Sequence, residues 1–291
     1  MQEKNKTETT AVQWFPGHMA KTRRLIQENL KLVDLVLEIA DARIPHSSRN
    51  PELDRWLGGK PRILMLNKND AADPDATRQW ISYYEKKGIA VFACDCKSGA
   101  GVKQFEPLLK KTLAGLIARR AQKGMAGRMV RIMIVGVPNV GKSSFINRMA
   151  GGRRTRVEDR PGVTRGKQWV SLMKDIELLD MPGVLWPKFD EPAVGEKLAF
   201  TGAVKDGVLD IELLAARLLE IMAREYPERL KDRYKIDGFA EMDGYELLEM
   251  VGRKRGMLIS GGGVNTERAA ITVMDEYRSG KLGRLTLEMP E

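Results

Sequence analysis

Gly136-Val137-Pro138-Asn139-Val140-Gly141-Lys142-Ser143 has the spacing G-x-x-x-x-G-K-[ST]. Glycines at both ends of such a loop let backbone N–H groups turn inward around phosphate oxygens, and a helix starting there adds the positive end of its dipole. Lys142 would reach the β and γ phosphates and assist their transfer, and Ser143 would ligate Mg²⁺. Asn139, Val140, Gly141 and Ser144 complete the cradle. Such a cradle takes any nucleoside triphosphate, so the base must be read elsewhere. Asn67-Lys68-Asn69-Asp70 has the form N-K-x-D. The Asp70 carboxylate can accept both the ring N–H and the exocyclic amine of guanine; adenine offers no such donor pair and would leave it unpaired. DMPG at Asp180 to Gly183 supplies a carboxylate for the metal shell, acting through water, and a Gly183 N–H for the γ phosphate. Thr164, in PGVTRG between these two motifs, is placed as a switch threonine over Mg²⁺, against the plainer reading of a loop hydroxyl. ACDCKSGAG at 93 to 101 looks like the S-A-K loop that backs guanine, with Asp95 and Cys96 in place of serine and alanine. Cys96 through its backbone, and Lys97, are the expected contributors.

These residues need strand ends and helix starts to hold them. Ile26, Leu30 and Val33 give helical spacing from Ala20 to Val33. Continuous apolar runs predict buried strands at 33–40, 61–67, 88–94 and 129–136, with helices at 77–87, 102–120 and from the phosphate loop through Met149. WVSLM and DIELLD are two further strand candidates. Strands alternating with helices predict an α/β fold, a mostly parallel sheet covered on both faces. After DMPGVLWPKFDEP the pattern becomes helical. A helix from Asp210 to Glu225 carries Ile211, Leu214, Leu218 and Ile221 on one face with Asp210 as its cap. Another, 266–278, aligns Ala270, Val273, Met274 and Tyr277, with Gly280 placed to end it. The expected division is a tail at 1–13, a nucleotide-hydrolysing domain at 14–189 and a smaller helical domain at 190–291.

Of 291 residues, 43% are hydrophobic and 30% charged, and the net charge is +10. That balance is the one of a soluble globular protein, and no apolar stretch nears the roughly 18 residues that a membrane-spanning helix requires, so no transmembrane segment is expected. The polar opening MQEKNKTETT lacks the apolar core of a secretion signal, so a cytoplasmic location is expected. Two cysteines, Cys94 and Cys96, are too few for a disulfide framework or a zinc site and read as reduced thiols. The positive charge favours a polyanionic partner. Arg119, Arg120, Lys123, Arg128 and Arg131 come with no acid among them, and Arg148, Arg153, Arg154, Arg156, Arg160, Arg165 and Lys167 follow with only Glu158 and Asp159 between.

The motif order is guanine motif, S-A-K-like loop, phosphate loop, switch threonine, DMPG, whereas ordinary GTPases begin with the phosphate loop. A circular permutation explains it, because joining ends that lie close and cutting elsewhere preserves the sheet. The new cut follows DMPG, so a shift there on hydrolysis would pass into the C-terminal domain as a rotation. Through WFPGHMAKTRR, DARIP, NKND, GVPNVGKSS, PGVTRG, DMPGVLWP and LAFTGAVKD, over roughly residues 14 to 210, the chain resembles the YlqF/RbgA family of circularly permuted GTPases. The resemblance implies GTP binding and hydrolysis stimulated by the large ribosomal subunit during its late maturation. It also implies that the C-terminal domain contacts ribosomal RNA.

Val184 stands after Gly183, where familiar GTPases carry a water-orienting glutamine. The resemblance suggests two replacements. Asn139 is similar to the asparagine that helps bind K⁺ in potassium-activated members, where the cation offsets charge developing on the phosphates. His18 matches the family's proposed catalytic histidine, against its reading as a structural residue near the first helix. His46 reads as a surface-loop residue. Competing expectations are a GTP-gated placeholder on the ribosome and a regulatory GTPase acting on a protein target. The chain is expected to act as a monomer with no membrane partner.

Overall fold

The computed structural model describes residues 24–125, 127–151, 168–173, 175–181, 183, 185, 192–204 and 210–291. His18, Thr164 and the basic residues from Arg153 to Lys167 lie outside them. In chain order the elements are α1 (residues 24–30), β1 (Leu35–Asp41), α2 (Leu53–Leu57), β2 (Arg62–Asn67), α3 (Pro74–Lys86), β3 (Ala90–Ala93), α4 (Phe105–Thr112), α5 (Ala114–Gln122), β4 (Val130–Gly136) and α6 (Lys142–Met149). Then come β5 (Gln168–Met173), β6 (Ile176–Asp180), α7 (Pro192–Phe200), α8 (Ile211–Glu225), α9 (Pro227–Tyr234), α10 (Gly244–Lys254) and α11 (Thr266–Arg278). None of these helices is long and apolar enough to cross a membrane.

The six strands form one sheet in the order β3-β2-β1-β4-β6-β5, every pair parallel except β5 with β6. The apolar runs become these strands because a parallel sheet covered on both faces buries every position of its central members. All seven residues of β1 are buried. Its one internal carboxylate, Glu38, is tolerated there because Arg49 (2.9 Å) and Arg62 (3.3 Å) pair with it. On one face α1 packs Ile26 and Leu30 over Val36, Met133, Val135 and Leu179, and farther along Trp80 and Tyr84 of α3 cover Leu64 and Leu66. The other face is closed by Phe105, Leu109, Phe145 and Ile146, in a core that continues through Phe200 into the C-terminal helices.

The helix expected over 102–120 is broken into a 3-10 turn at Val102–Gln104 and the two helices α4 and α5. Hydrogen bonds still run through the break, from Leu113 N–H to Leu109 O and from Ile117 N–H to Leu113 O, so it is a bend beside Gly115. Farther on, Asp210 caps α8 by accepting the Leu213 N–H at 3.0 Å. Gly280, at φ +76, ends α11 with its N–H on Tyr277 O. The basic run around α5 is less free than it reads in sequence. Arg120 pairs with Asp34 at 2.5 Å, and Arg131 pairs with Glu177 at 3.1 Å while lying over the Trp169 ring.

Candidate nucleotide site

Register in the parallel sheet decides which residues meet. Asp41 is level with Asn67, Ile39 with Gly136, and Ile134 with Asp180, so β1, β2, β4 and β6 deliver their carboxyl ends to one edge. The chain fills the sheet outward from β1 and then returns to place β4 on its other side. The switch point thus lies between β1 and β4, where open α/β sheets have their binding crevice.

The phosphate-type loop runs from the end of β4 into α6. Gly141 sits at φ +101, and a Cβ there would lie 2.1 Å from the Asn67 amide nitrogen, so only glycine fits. Asn139 takes the left-handed region at φ +58, which asparagine tolerates, and its side-chain amide donates to Gly202 O at 2.7 Å. Val140 is buried and its carbonyl accepts from Asn67 Nδ2 at 2.8 Å. The Lys142 amine donates to Gly136 O (3.0 Å) and Val137 O (2.9 Å). Ser143 and Ser144 are half-buried in the first turn of α6. The turn after β6 presses onto this loop, because a Cβ on Gly183 would come within 2.9 Å of Pro138 backbone atoms.

Asp180 and Lys142 face one another electrostatically. Burial pushes the Lys142 amine down to about 8, with the nearby Asp180 charge pulling part of the way back. Burial likewise raises the Asp180 carboxyl, and Lys142 partly offsets it. Asp180 Oδ1 is buried and finds no hydrogen-bond partner among the described residues. An orphaned carboxylate oxygen on β6 and the Ser143 hydroxyl that the motif supplies on α6 are the hard oxygen donors that Mg²⁺ takes, with water and phosphate oxygens filling the remaining positions. The residues present therefore fit this cation.

Asn67 joins three loops. Beyond its bond to the phosphate-type loop, its Oδ1 accepts the Cys96 N–H at 3.0 Å. Asp95 takes over the capping work of the usual serine: its carboxylate accepts the Lys97 N–H (2.7 Å) and the Ser98 N–H (2.9 Å). Cys94 and Cys96 are free, buried thiols 3.8 Å apart. Lys68 lies at φ +62 with its amine 3.0 Å from Asp41, and Asp70 is exposed. Sequence reasoning missed three residues here. Arg148 donates to Cys96 O at 3.2 Å and to Lys97 O, bracing that loop from α6. Asp41 and Arg43, buried in DARIP, are ion-paired at 2.8 Å behind Lys68. Two cations so close hold the Asp41 carboxyl well below the carboxylate range despite its burial.

A protein of Priestia megaterium, "Ribosome biogenesis GTPase A", is 47% identical over 96% of this chain and 97% of its own. The chain belongs to the ribosome biogenesis GTPase A (YlqF/RbgA) family. A Bacillus cereus member of the family is 45% identical over 96% of this chain and 94% of its own. The model of the family described as "50S ribosome-binding GTPase" matches residues 131–232. Among solved structures, the YlqF protein of T. maritima bound to GNP superposes with a TM-score of 0.67 at 31% identity, covering 93% of this chain and 99% of that one. The P-loop GTPase fold expected from the motifs is therefore the fold of this chain, with the mostly parallel sheet and helical C-terminal region already described.

The depressed Lys142 amine makes one prediction for this family member. With Lys142 on the phosphates, as the motif leads one to expect, their charge raises that pKa again on binding, so binding takes up a proton above about pH 8. Nucleotide affinity should stay level below about pH 7 and fall by up to about tenfold per unit as pH rises past about 8. Fluorescent-nucleotide titrations from about pH 6.5 to 9, below the range in which guanine loses its own ring proton, measure it. A flat profile would remove Lys142 from the phosphate site, and Lys142→Met should abolish the slope.

Proposed function

We propose that this chain is a GTP-hydrolysing assembly factor acting in late maturation of the large ribosomal subunit and binding its RNA. The observation that carries the GTP reading is the Asn67 junction. One side chain of the N-K-x-D motif holds the phosphate-type loop through Val140 and the S-A-K-like loop through Cys96, so base and phosphate sites form one unit. The ribosomal reading is supported by the names of the relatives and by the net charge of +10.

In this reading the nucleotide domain spans 14–189 with its motifs circularly permuted, and 190–291 faces the ribosome. Asp70 reads guanine, with Asn67, Lys68 and the loop at Cys96 and Lys97 framing the base. Lys142 and the N–H groups of residues 139–144 hold the phosphates. Ser143, Asp180 and Thr164 hold Mg²⁺, which when bound neutralises charge on the β and γ phosphates. Gly183 senses the γ phosphate from its seat on Pro138. Asn139 has its amide nitrogen engaged by Gly202 O; its amide oxygen is the atom K⁺ would take. His18 orients the attacking water. The protein acts in the cytoplasm as a monomer.

Co-sedimentation with large subunits in GTP, GDP and a nonhydrolysable analogue tests this. Binding should depend on the nucleotide and weaken steeply with salt, by a log–log slope of roughly 0.7 to 0.9 per phosphate neutralised. Charge reversal at Arg153, Arg154 and Arg156 should weaken it with nucleotide affinity nearly intact. A response independent of nucleotide and flat in salt would overturn the ribosomal reading.

A further inference from the structure

The loop that carries Asp70 is held by the far end of the chain. Arg284 donates from Nη2 to Asn69 O at 3.0 Å and from Nε to Ala72 O at 2.8 Å. The Leu285 N–H donates to Ala71 O at 2.9 Å, and the Thr286 hydroxyl accepts the Asp73 N–H at 3.0 Å. Asp70 therefore stands between two residues whose carbonyls are both captured, while its own side chain is exposed. The segment doing this is itself anchored. Leu285 and Thr286 are buried, the Leu287 N–H donates to Arg43 O at 2.8 Å, and Glu288 O accepts the Trp80 indole N–H at 2.9 Å. The Glu288 carboxylate in turn accepts from Ser47 and pairs with Lys197 at 3.1 Å.

A second line of contacts reaches the same motif. Arg43 donates from Nη1 to Tyr277 O, the last turn of α11, at 3.0 Å, and lies over the Tyr277 ring. Its other guanidinium nitrogens grip Asp41, whose Oδ2 also takes the Lys68 amine. Lys68 and Asp70 are thus both positioned from the C-terminal region, one through Asp41 and Arg43 and the other through Arg284.

We infer that the segment from Leu282 to Glu288 is a built part of the base pocket and that Arg284 is a positioning residue for guanine recognition. It fixes the backbone on both sides of Asp70 and so aims an exposed carboxylate whose charge also faces Arg43 and Lys68. This rests on Asp70 being the base reader. A carboxylate on a loose surface loop would lose alignment with the two guanine donors, and hydrogen bonds weaken steeply once misaligned. The same links make the C-terminal helices and the base pocket one mechanical unit. A partner that shifts α11 would change nucleotide affinity, and nucleotide would change partner affinity by the same factor.

The test is the discrimination between GDP and IDP, which lacks the exocyclic amine. Affinities for both are measured by competition against a fluorescent GDP in wild type, Arg284→Ala, Arg284→Lys and Asp70→Asn, beside thermal midpoints. Arg284→Ala is expected to weaken GDP by about tenfold and to shrink the GDP:IDP ratio several-fold, with Arg284→Lys intermediate because an amine reaches only one of the two carbonyls. General loosening would weaken both nucleotides alike and leave the ratio unchanged. A wild-type ratio in both Arg284 variants, with the ratio collapsed in Asp70→Asn, overturns the inference alone. A wild-type ratio in Asp70→Asn brings down the base-reader assignment and the inference with it. Should Arg284→Ala fail to fold, the ratio in Arg284→Lys decides.

Discussion

Asp70→Asn is expected to turn a guanine site into a xanthine site. The carboxylate offers two acceptors to the ring N–H and the exocyclic amine; the amide keeps one acceptor and replaces the other with a donor. Guanine then meets donor against donor, whereas the xanthine carbonyl at that position meets its complement. Sites built on such pairing reject the wrong partner by up to 10⁴–10⁵ when fully desolvated. Asp70 is exposed, and its desolvation is completed only by the base, so a loss of about 10²–10³ in GTP affinity is the scale to expect. The fold should not suffer, because the backbone around Asp70 is held by Arg284 and Leu285 and not by the Asp70 side chain. Competition of GDP and XDP against a fluorescent nucleotide measures the inversion. Unchanged GDP affinity would mean that the N-K-x-D motif is not the base reader.

What was legible in the sequence was local. Strands read as continuous apolar runs because both faces of β1, β2 and β4 are covered, and the caps at Asp210 and Gly280 are chemistry of adjacent residues. The motifs could be placed at strand ends, and register then brings Asp41, Asn67, Gly136 and Asp180 to one edge. What could not be read was set by pairing over long separations. Nothing near Arg284 announces that its guanidinium will span two carbonyls more than two hundred positions earlier. The same holds for Arg43 and Tyr277 O, and for Arg120, which looked like free positive charge until Asp34 came beside it. His46 was read as a surface residue and is exposed, yet its ring stacks on Trp80 and its backbone N–H is taken by the Glu288 carboxylate. The short α2 was missed because five residues carry too little periodicity to separate from a loop.

His18→Ala is expected to remove most subunit-stimulated hydrolysis while leaving GTP affinity within a few fold. The described chain begins six residues after His18, and α1 lies directly over the strands that feed the site. Ile26 packs with Met133 and Val135 of β4 and with Leu179 and Met181 at the end of β6, and it lines a small cleft with Gly136, the first residue of the phosphate-type loop. His18 itself lies outside the described residues, and its imidazole is proposed to orient the attacking water. The need for such a group follows from Val184, which cannot orient water where a glutamine would. A positioned general base or water-orienting group contributes roughly 10²–10⁴, and sites without one hydrolyse GTP at about 10⁻⁴ to 10⁻³ per second. Because the contribution falls on the transition state, it should appear in turnover and not in binding. A structural role predicts the reverse pattern, a lowered melting temperature with hydrolysis per folded molecule unchanged. Single-turnover hydrolysis with saturating large subunits, beside thermal stability and nucleotide affinity, separates the two, and wild-type turnover in the alanine variant would end the catalytic assignment.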